Sequence, residues 1–385
     1  MPQRRIPAVF VRGGTSRALV FHARDLPAGR GAWDPIFLRA LGSPDPNGRQ
    51  LDGMGGGVSS LSKVAVIGPP SRPDADVDYT FGQVSVEKAL VDYRGNCGNI
   101  SSAVGPFAVD EGLVAAPRDG EALVRIHNTN TGKIIRSRFW MEGGSAAVEG
   151  DCALPGVAGA GARVTLEFED PGGAATGRLL PTGKAVETLY IPGLGPVEAS
   201  LVDATNPVVF VRAGDVGLAG SEGPGAMDAR TELMVNLEQI RAEAAVRMGL
   251  APDRRTASES VLAVPKVAVV APPAEYLDLR GERVPEESFD ILSRVVSMGK
   301  THRAYALTAA MCLAVAARIP GTLAHEAARA GGGDIRLGHP SGVQPVGAEV
   351  ENANGSSRAA KVIVYRTARR LMEGAVLIPR GLFPA

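Results

Sequence analysis

The octapeptide Lys63-Val64-Ala65-Val66-Ile67-Gly68-Pro69-Pro70 recurs as Lys266-Val267-Ala268-Val269-Val270-Ala271-Pro272-Pro273. Each copy is a run rich in β-branched residues closed by Pro-Pro, the pattern of a buried strand that stops abruptly. Upstream, Pro7-Ala8-Val9-Phe10-Val11-Arg12-Gly13-Gly14 returns as Pro207-Val208-Val209-Phe210-Val211-Arg212-Ala213-Gly214. The offsets, 203 from Lys63 to Lys266 and 200 from Pro7 to Pro207, nearly agree, and the order is kept. Two fainter echoes follow. Ser101–Val114 and Thr308–Gly321 are both small, apolar and helix-like, and Arg178–Gly183 resembles Arg336–Gly342. A repeat this long means a duplicated domain rather than a solenoid.

The duplication organises the rest. Short Val/Ile/Thr-rich runs bounded by Gly and Pro predict strands at Ala8–Arg12, Val64–Ile67, Ala122–His127 and Val164–Phe168, and again at Val208–Arg212, Val267–Val270 and Lys361–Arg366. Asn354-Gly355 is a hairpin turn signal. Near 101–113 and 304–317 each half carries a helix with no polar face, which must be buried on all sides. A sheet curled around each helix satisfies both signals, so an α+β fold is expected. An amphipathic helix is expected over about 226–248, with Glu232 and Glu238 set against Arg241 and Arg247. The Gly/Pro tract Pro192-Gly193-Leu194-Gly195-Pro196 places the boundary near 190, giving domains 1–190 and 191–385 with a ligand cleft between them.

The chain has 385 residues, enough for two domains, and 45% are hydrophobic. Forty-one basic residues balance forty-one acidic ones, so nothing in the charge favours nucleic acid or an anionic membrane, and an anionic ligand must be met by a local site. The longest apolar run is shorter than the roughly 20 residues a membrane helix needs. The N-terminus does not read as a signal peptide, and the three cysteines form no CxxC pair. A cytoplasmic protein without membrane or nucleic-acid partners is expected. The five histidines are not at metal-ligand spacing, and no GxGxxG or GxSxG is present, so no metal and no cofactor are expected. Only seven of the forty-one basic residues are lysine. Lysine, unlike arginine, can lose its proton when buried and act as a base, which directs attention to Lys63, Lys184, Lys266 and Lys300.

Four constellations carry chemistry. In Asp52-Gly53-Met54-Gly55-Gly56-Gly57-Val58-Ser59-Ser60-Leu61-Ser62-Lys63, the glycines can form an anion nest, Ser59 and Ser60 offer hydroxyls, and Lys63 enters a buried strand where desolvation favours its neutral, basic form. An ordinary flexible loop is the competing reading. Asn96, Cys97, Gly98 and Asn99 precede the first central helix, where free N–H groups favour a thiolate or a carboxylate. Equally, Asn96 or Asn99 caps the helix and Cys97 only packs. Arg12-Gly13-Gly14-Thr15-Ser16-Arg17 suits a carboxylate on a tight turn. Ser297-Met298-Gly299-Lys300-Thr301-His302-Arg303, entering the second central helix, mirrors the Cys97 segment by the repeat, and the turns Pro181-Thr182-Gly183 and His339-Pro340-Ser341-Gly342 can complete a wall. Cys152 and Cys312 read as structural.

The strings RGGTSR (12–17), SPDPNGRQLDGMGGGVSSLSK (43–63), DYTFGQVSVEK (78–88), GNCGNISSAVGPFA (95–108), SMGKTHRAYALTAA (297–310), IPGTL (319–323), GHPSG (338–342) and RRLMEGAV (369–376) resemble the 2-methylaconitate cis–trans isomerase (PrpF-like) family, which includes 4-oxalomesaconate tautomerases and aconitate or methylitaconate Δ-isomerases. The likeness runs from about residue 8 to 379. It implies a diaminopimelate epimerase-like fold of two pseudo-symmetric domains, each a sheet around a central helix, and a metal-free, cofactor-independent site. It also implies that Lys63 is the catalytic lysine and Cys97 the active-site cysteine. Thr15, Ser16, Arg17, Gly56, Ser59, Ser60, Asn96, Gly98, Asn99, Ser297, Met298, Gly299, Lys300, His302 and Ser341 are the expected substrate-binding residues. Arg17 stands where many members have Lys, which keeps binding but not proton exchange, and the second cysteine of epimerases is missing. The expected activity moves protons on an unsaturated di- or tricarboxylate, with a homodimer as one assembly. A keto–enol tautomerase and a non-catalytic polycarboxylate-binding accessory protein are the alternatives.

Overall fold

The computed structural model describes residues 3–93, 95–353, 356–379 and 381. Arg94 and the Asn354-Gly355 turn lie outside them. The chain divides into two compact units, residues 1–167 with 365–385 and residues 168–364. These bounds depart from a division at 190 for two reasons. The last strand returns to the first unit, and Pro192–Pro196 turns a hairpin inside the second, with Ile191 paired to Gly195.

In the first unit the elements are β1 (Gln3–Gly13), β2 (Ser16–His22), α1 (Asp34–Leu41), β3 (Lys63–Gly68), β4 (Val77–Val84), β5 (Val91–Asp92), α2 (Gly98–Asp110), β6 (Gly120–Asn128) and β7 (Lys133–Glu142). β1 and β2 are antiparallel, β2 and β3 parallel, β3 and β4 antiparallel. β4 then pairs antiparallel with β5 and parallel with β6, which pairs antiparallel with β7. β3 is buried along its whole length, as expected of a Val/Ile run covered on both faces. α2 lies against β1, β2, β3, β6 and β7. Ile100, Val104, Phe107 and Ala108 are buried on it, and Gly105 is needed where the helix meets β7: a Cβ there would sit 2.6 Å from Ser137 Oγ. A helix enclosed by its own sheet explains why no polar face was written into it.

The second unit has β8 (Glu187–Ile191), β9 (Gly195–Ala204), β10 (Asn206–Arg212), α3 (Pro224–Asp228), α4 (Thr231–Arg247), β11 (Lys266–Ala271), β12 (Ile291–Ser297), β13 (Lys300–Thr301), α5 (Leu307–Ala316), β14 (Ile335–His339), β15 (Gly342–Ala353) and β16 (Ser356–Arg366). The final strand, β17 (Ala368–Pro379), pairs antiparallel with β1 in the first unit. β9–β10 is antiparallel, β10–β11 parallel, β11–β12 antiparallel, β12–β13 antiparallel, β12–β14 parallel and β14–β15 antiparallel. This is the sequence of pairings of the first unit, strand for strand. Even the clasp repeats. Asp76, before β4, forks Arg125 of β6 at 2.6 Å, and Asp290, before β12, forks Arg336 of β14 at 2.6 Å.

The shared topology revises three readings of the repeat. β10 takes the place of β2, not of β1, so the Pro7/Pro207 match pairs neighbouring strands of like composition. Arg336–His339 is a strand equivalent to β6, whereas Arg178–Gly183 forms no regular element, so that echo carries no homology of position. The Ser297–Thr301 segment is the β12–β13 hairpin, equivalent to the β4–β5 connection rather than to the Cys97 segment. The expected long helix is also broken at Ala229-Arg230. Arg241 does bind Glu238 at 2.7 Å, but Arg247 pairs with Glu243, not Glu232. Among the described residues no helix is long and apolar enough to cross a membrane.

Candidate active site

Lys63 opens β3 and its side chain is buried. The antiparallel register places Gln83 of β4 directly opposite. Lys63 Nζ donates to Gln83 Oε1 and stands 5.2 Å from the centroid of the Phe81 ring. The other end of the Gln83 carboxamide is fixed, since Nε2 donates to Ser59 O at 3.0 Å and Ser62 O at 2.9 Å. A carboxamide with both ends engaged presents only its oxygen to the lysine. No carboxylate among the described residues lies within ion-pair distance of Lys63. Of the four lysines singled out in the sequence, Lys63 and Lys266 open equivalent strands, while Lys184 and Lys300 extend from the surface with side-chain exposures of 71% and 78%.

Two N–H groups of the glycine loop are engaged within the fold. Gly55 N donates to Leu41 O at 3.2 Å, and Gly57 N donates to Gln50 Oε1 at 3.0 Å. Gln50 is fully buried and also bonds Ser43 Oγ (2.8 Å) and Ser62 Oγ (2.7 Å). Two of the three glycine N–H groups thus hold the loop that carries Ser59 and Ser60. Gly56 has a different use: a Cβ there would come within 2.9 Å of Arg17 Nη2. Arg17 stacks 5.3 Å from the Phe10 ring, its Nε is buried without a partner, and no carboxylate among the described residues pairs with it. Its guanidinium lies beside the loop.

Cys97 is the N-cap of α2, and no side chain caps the helix. The first-turn N–H groups of α2 are therefore open to a ligand rather than closed by Asn96 or Asn99. Asn96 Oδ1 accepts from Ser101 Oγ at 3.2 Å and from Asn128 Nδ2 at 3.3 Å. Asn99 turns outward to the β1–β2 turn, donating to Thr15 Oγ1 at 3.1 Å and accepting from Arg366 Nε at 3.1 Å. The turn and the helix approach so closely that a Cβ on Gly13 would lie 2.5 Å from Asn99 O. Ser16 is buried just beyond, and Gly98 is buried as the first residue of the helix. Arg12 serves the turn instead of a ligand: its Nη1 donates to Gly14 O, Thr367 O and Thr367 Oγ1. Thr15, Ser16, Arg17, Gly56, Ser59, Ser60, Lys63, Asn96, Cys97, Gly98 and Asn99 thus lie around three adjoining pieces of one unit.

Sequence reading missed Gln83, Gln50 and Arg366. Gln83 lay inside a quoted motif, but nothing local marks a glutamine as a lysine's partner. Arg366 is buried beside Asn99, and burial pushes its guanidinium down to about 10. It adds positive charge next to Cys97 and Cys152.

The second-unit candidates form their own group. Lys266 Nζ donates to Ser297 Oγ at 2.8 Å and Ala263 O at 3.2 Å. Burial pulls Lys266 down to about 8, and burial plus the nearby Lys266 pulls His302 down to about 4. Met298 and Gly299 form the exposed hairpin tip, with φ of 53° and 73°. Lys300 lies 3.9 Å from Asp228, which also accepts from Thr301 N. Ser341 Oγ donates to Arg303 O at 2.6 Å. At the N-cap of α5, the position equivalent to Cys97, stands Ala306.

The duplicated sheet-around-helix scaffold is a diaminopimelate epimerase-like fold, and the full-length relatives make the chain an isomerase. Residues 3–379 match the PrpF protein family, and the chain belongs to it. It is similar to the 2-methyl-aconitate isomerase of Cupriavidus necator, 42% identical over 100% of this chain and 99% of the relative. It is also similar to the crystal structure of a methylitaconate-delta-isomerase, 44% identical with a TM-score of 0.89, covering 100% of this chain and 98% of the other. A hydroxyproline epimerase from Agrobacterium vitis, 13% identical, covers 98% of this chain and 93% of its own with a TM-score of 0.54, a likeness of fold.

Proposed function

We propose that this protein isomerises a branched, unsaturated di- or tricarboxylate of the 2-methylaconitate or methylitaconate kind, and that Lys63 moves the proton. The observation that carries the reading is the buried Lys63 amine, aimed by Gln83 and without an acidic partner. Lys63 Nζ takes a proton from the carbon allylic to the double bond. The electron pair left behind spreads through the C=C bond into the conjugated carboxylate as a dienolate. The same proton, or one from solvent through the amine, then returns to another carbon, so the double bond has moved or turned and nothing has been consumed. The uncapped first turn of α2 and the unpaired Arg17 are donors already in place for the charge that develops on the carboxylate. Cys97, at the N-cap of α2, is the group assigned to return a proton to the dienolate.

The test is ¹H NMR of cis- and trans-aconitate, 2-methylaconitate, methylitaconate and oxalomesaconate with the purified chain. Double-bond movement in a methyl-branched acid is expected. Conversion of oxalomesaconate alone would assign the tautomerase reading instead, and conversion of none would refute an isomerase of these acids.

A further inference from the structure

We propose that Gln50 is a positioning residue for proton transfer: buried under the loop over residues 57–62, it fixes the carbonyls that hold Gln83, and through Gln83 the aim of Lys63. This rests on the role proposed for Lys63 and names the group that sets its geometry from one layer further in. Every residue involved lies in the first unit.

Gln50 is buried and stands at a φ of 53°, a left-handed backbone uncommon for a residue with a Cβ. Asp45 holds it there, its Oδ2 accepting from Gln50 N at 2.6 Å and from Arg49 N at 3.1 Å. Gly55 makes room for the side chain, since a Cβ there would lie 2.2 Å from Gln50 Oε1. So placed, the carboxamide is engaged at both ends. Nε2 donates to Ser43 Oγ at 2.8 Å and to Ser62 Oγ at 2.7 Å, and Oε1 accepts from Gly57 N at 3.0 Å. One side chain therefore pins the loop at its first residue and at its last. The two carbonyls that accept from Gln83 Nε2, Ser59 O at 3.0 Å and Ser62 O at 2.9 Å, belong to that same loop. The contacts thus run from Gln50 to Ser62, from Ser62 to Gln83, and from Gln83 Oε1 to Lys63 Nζ. Filling space would not need an amide: an apolar side chain of similar volume does so without burying polar atoms. A fully satisfied buried polar network instead specifies one arrangement. For a reacting amine that arrangement governs rate, because a misplacement of about 1 Å can cost on the order of 10²-fold.

The experiment compares the full chain as wild type, Gln50→Leu, Ser62→Ala and Val124→Ala, the last a core cavity on β6 that breaks none of these bonds. Each is labelled with a trace of acetic anhydride, and the reactivity of Lys63 is read by peptide mass spectrometry against Lys361 in the same sample. A buried amine freed from its partner should label about three- to tenfold faster in Gln50→Leu and about twofold faster in Ser62→Ala, with Val124→Ala at the wild-type rate. In turnover Gln50→Leu should lose about tenfold or more in kcat with KM within about twofold of wild type. Val124→Ala should lower Tm but leave kcat unchanged, which separates aim from general stability. If Gln50→Leu does not fold, Ser62→Ala decides by the same labelling. Wild-type labelling of Lys63 in a folded Gln50→Leu, equal acceleration in Val124→Ala, or an unchanged kcat in Gln50→Leu overturns the inference. Labelling needs no turnover, so failure of the isomerase reading shows separately, as a chain whose Lys63 loosens as expected but which converts none of the unsaturated acids.

Discussion

The two units share one topology but not one chemistry. In the first, the strand-opening lysine is held by a fixed carboxamide, Gln83, and the central helix begins with a thiol, Cys97. In the second, the equivalent lysine meets a rotatable hydroxyl, Ser297, and the equivalent helix begins with Ala306. Each unit also repeats the Asp–Arg clasp that locks the parallel strand pair, Asp76–Arg125 and Asp290–Arg336. What duplication kept is the scaffold that places a lysine at a strand start and a helix N-terminus nearby. What it changed is the group beside each of them. A fixed partner and a thiol suit proton transfer, and the second unit has neither.

The sharpest way to break this contrast is to remove each lysine in turn. Lys63→Ala should lower kcat by roughly 10²–10⁴-fold, the usual worth of a general acid–base group. Lys266→Met should leave kcat within about threefold of wild type, because no fixed partner aims that lysine and no thiol begins its helix. Equal kcat losses from both would erase the distinction between the units.

Next in size is the partner. Gln83→Ala leaves Lys63 in place but unaimed, and should cost about 10–100-fold in kcat with little change in KM, because small misplacements of a reacting group are expensive. Steady-state kinetics on the converted acid reads this directly. An unchanged kcat would mean that the carboxamide only fills space.

The smallest effect is on stability. Lys266 holds its proton less tightly in the folded chain, at about 8, than at its ordinary 10.5. Below pH 8 both states are protonated and the cost of the buried charge is constant. Between about 8 and 10.5 the unfolded chain still binds the proton that the folded chain has released, so this group makes stability rise with pH. Lys266→Met removes the contribution. The variant's advantage in Tm over wild type should therefore shrink as pH climbs from 8 towards 10.5. Parallel Tm curves would contradict the burial of this ammonium.

Much of this was legible in the sequence because it is written locally. The fully buried strands β3 and β11 read as Val/Ile runs, and both central helices read as apolar all round. Cys97 reads as preceding a helix, and it holds the N-cap position of α2. The illegible parts depend on partners far along the chain. Strand strings of like composition cannot say which neighbour they replace, so Pro207–Arg212 matched β1 although its pairing is that of β2. In the glycine loop, the acceptors of Gly55 N and Gly57 N, Leu41 O and Gln50 Oε1, come from other segments and are invisible locally. Gln83 lies 20 residues from the lysine it orients, and only the β3–β4 register brings them opposite each other. The repeat alone places Ser297–Arg303 at a helix entrance, whereas pairing with β12 makes Ser297–Thr301 a hairpin.

The most direct test of the central claim is deuterium exchange, which watches the proton rather than the product. ¹H NMR in D₂O with a converted acid should show wild type placing deuterium at the two terminal carbons of the three-carbon allylic unit, where protons leave and arrive, and Lys63→Ala placing none over the same time. A folded Lys63→Ala that washes substrate protons into D₂O at the wild-type rate would show that another group takes the proton.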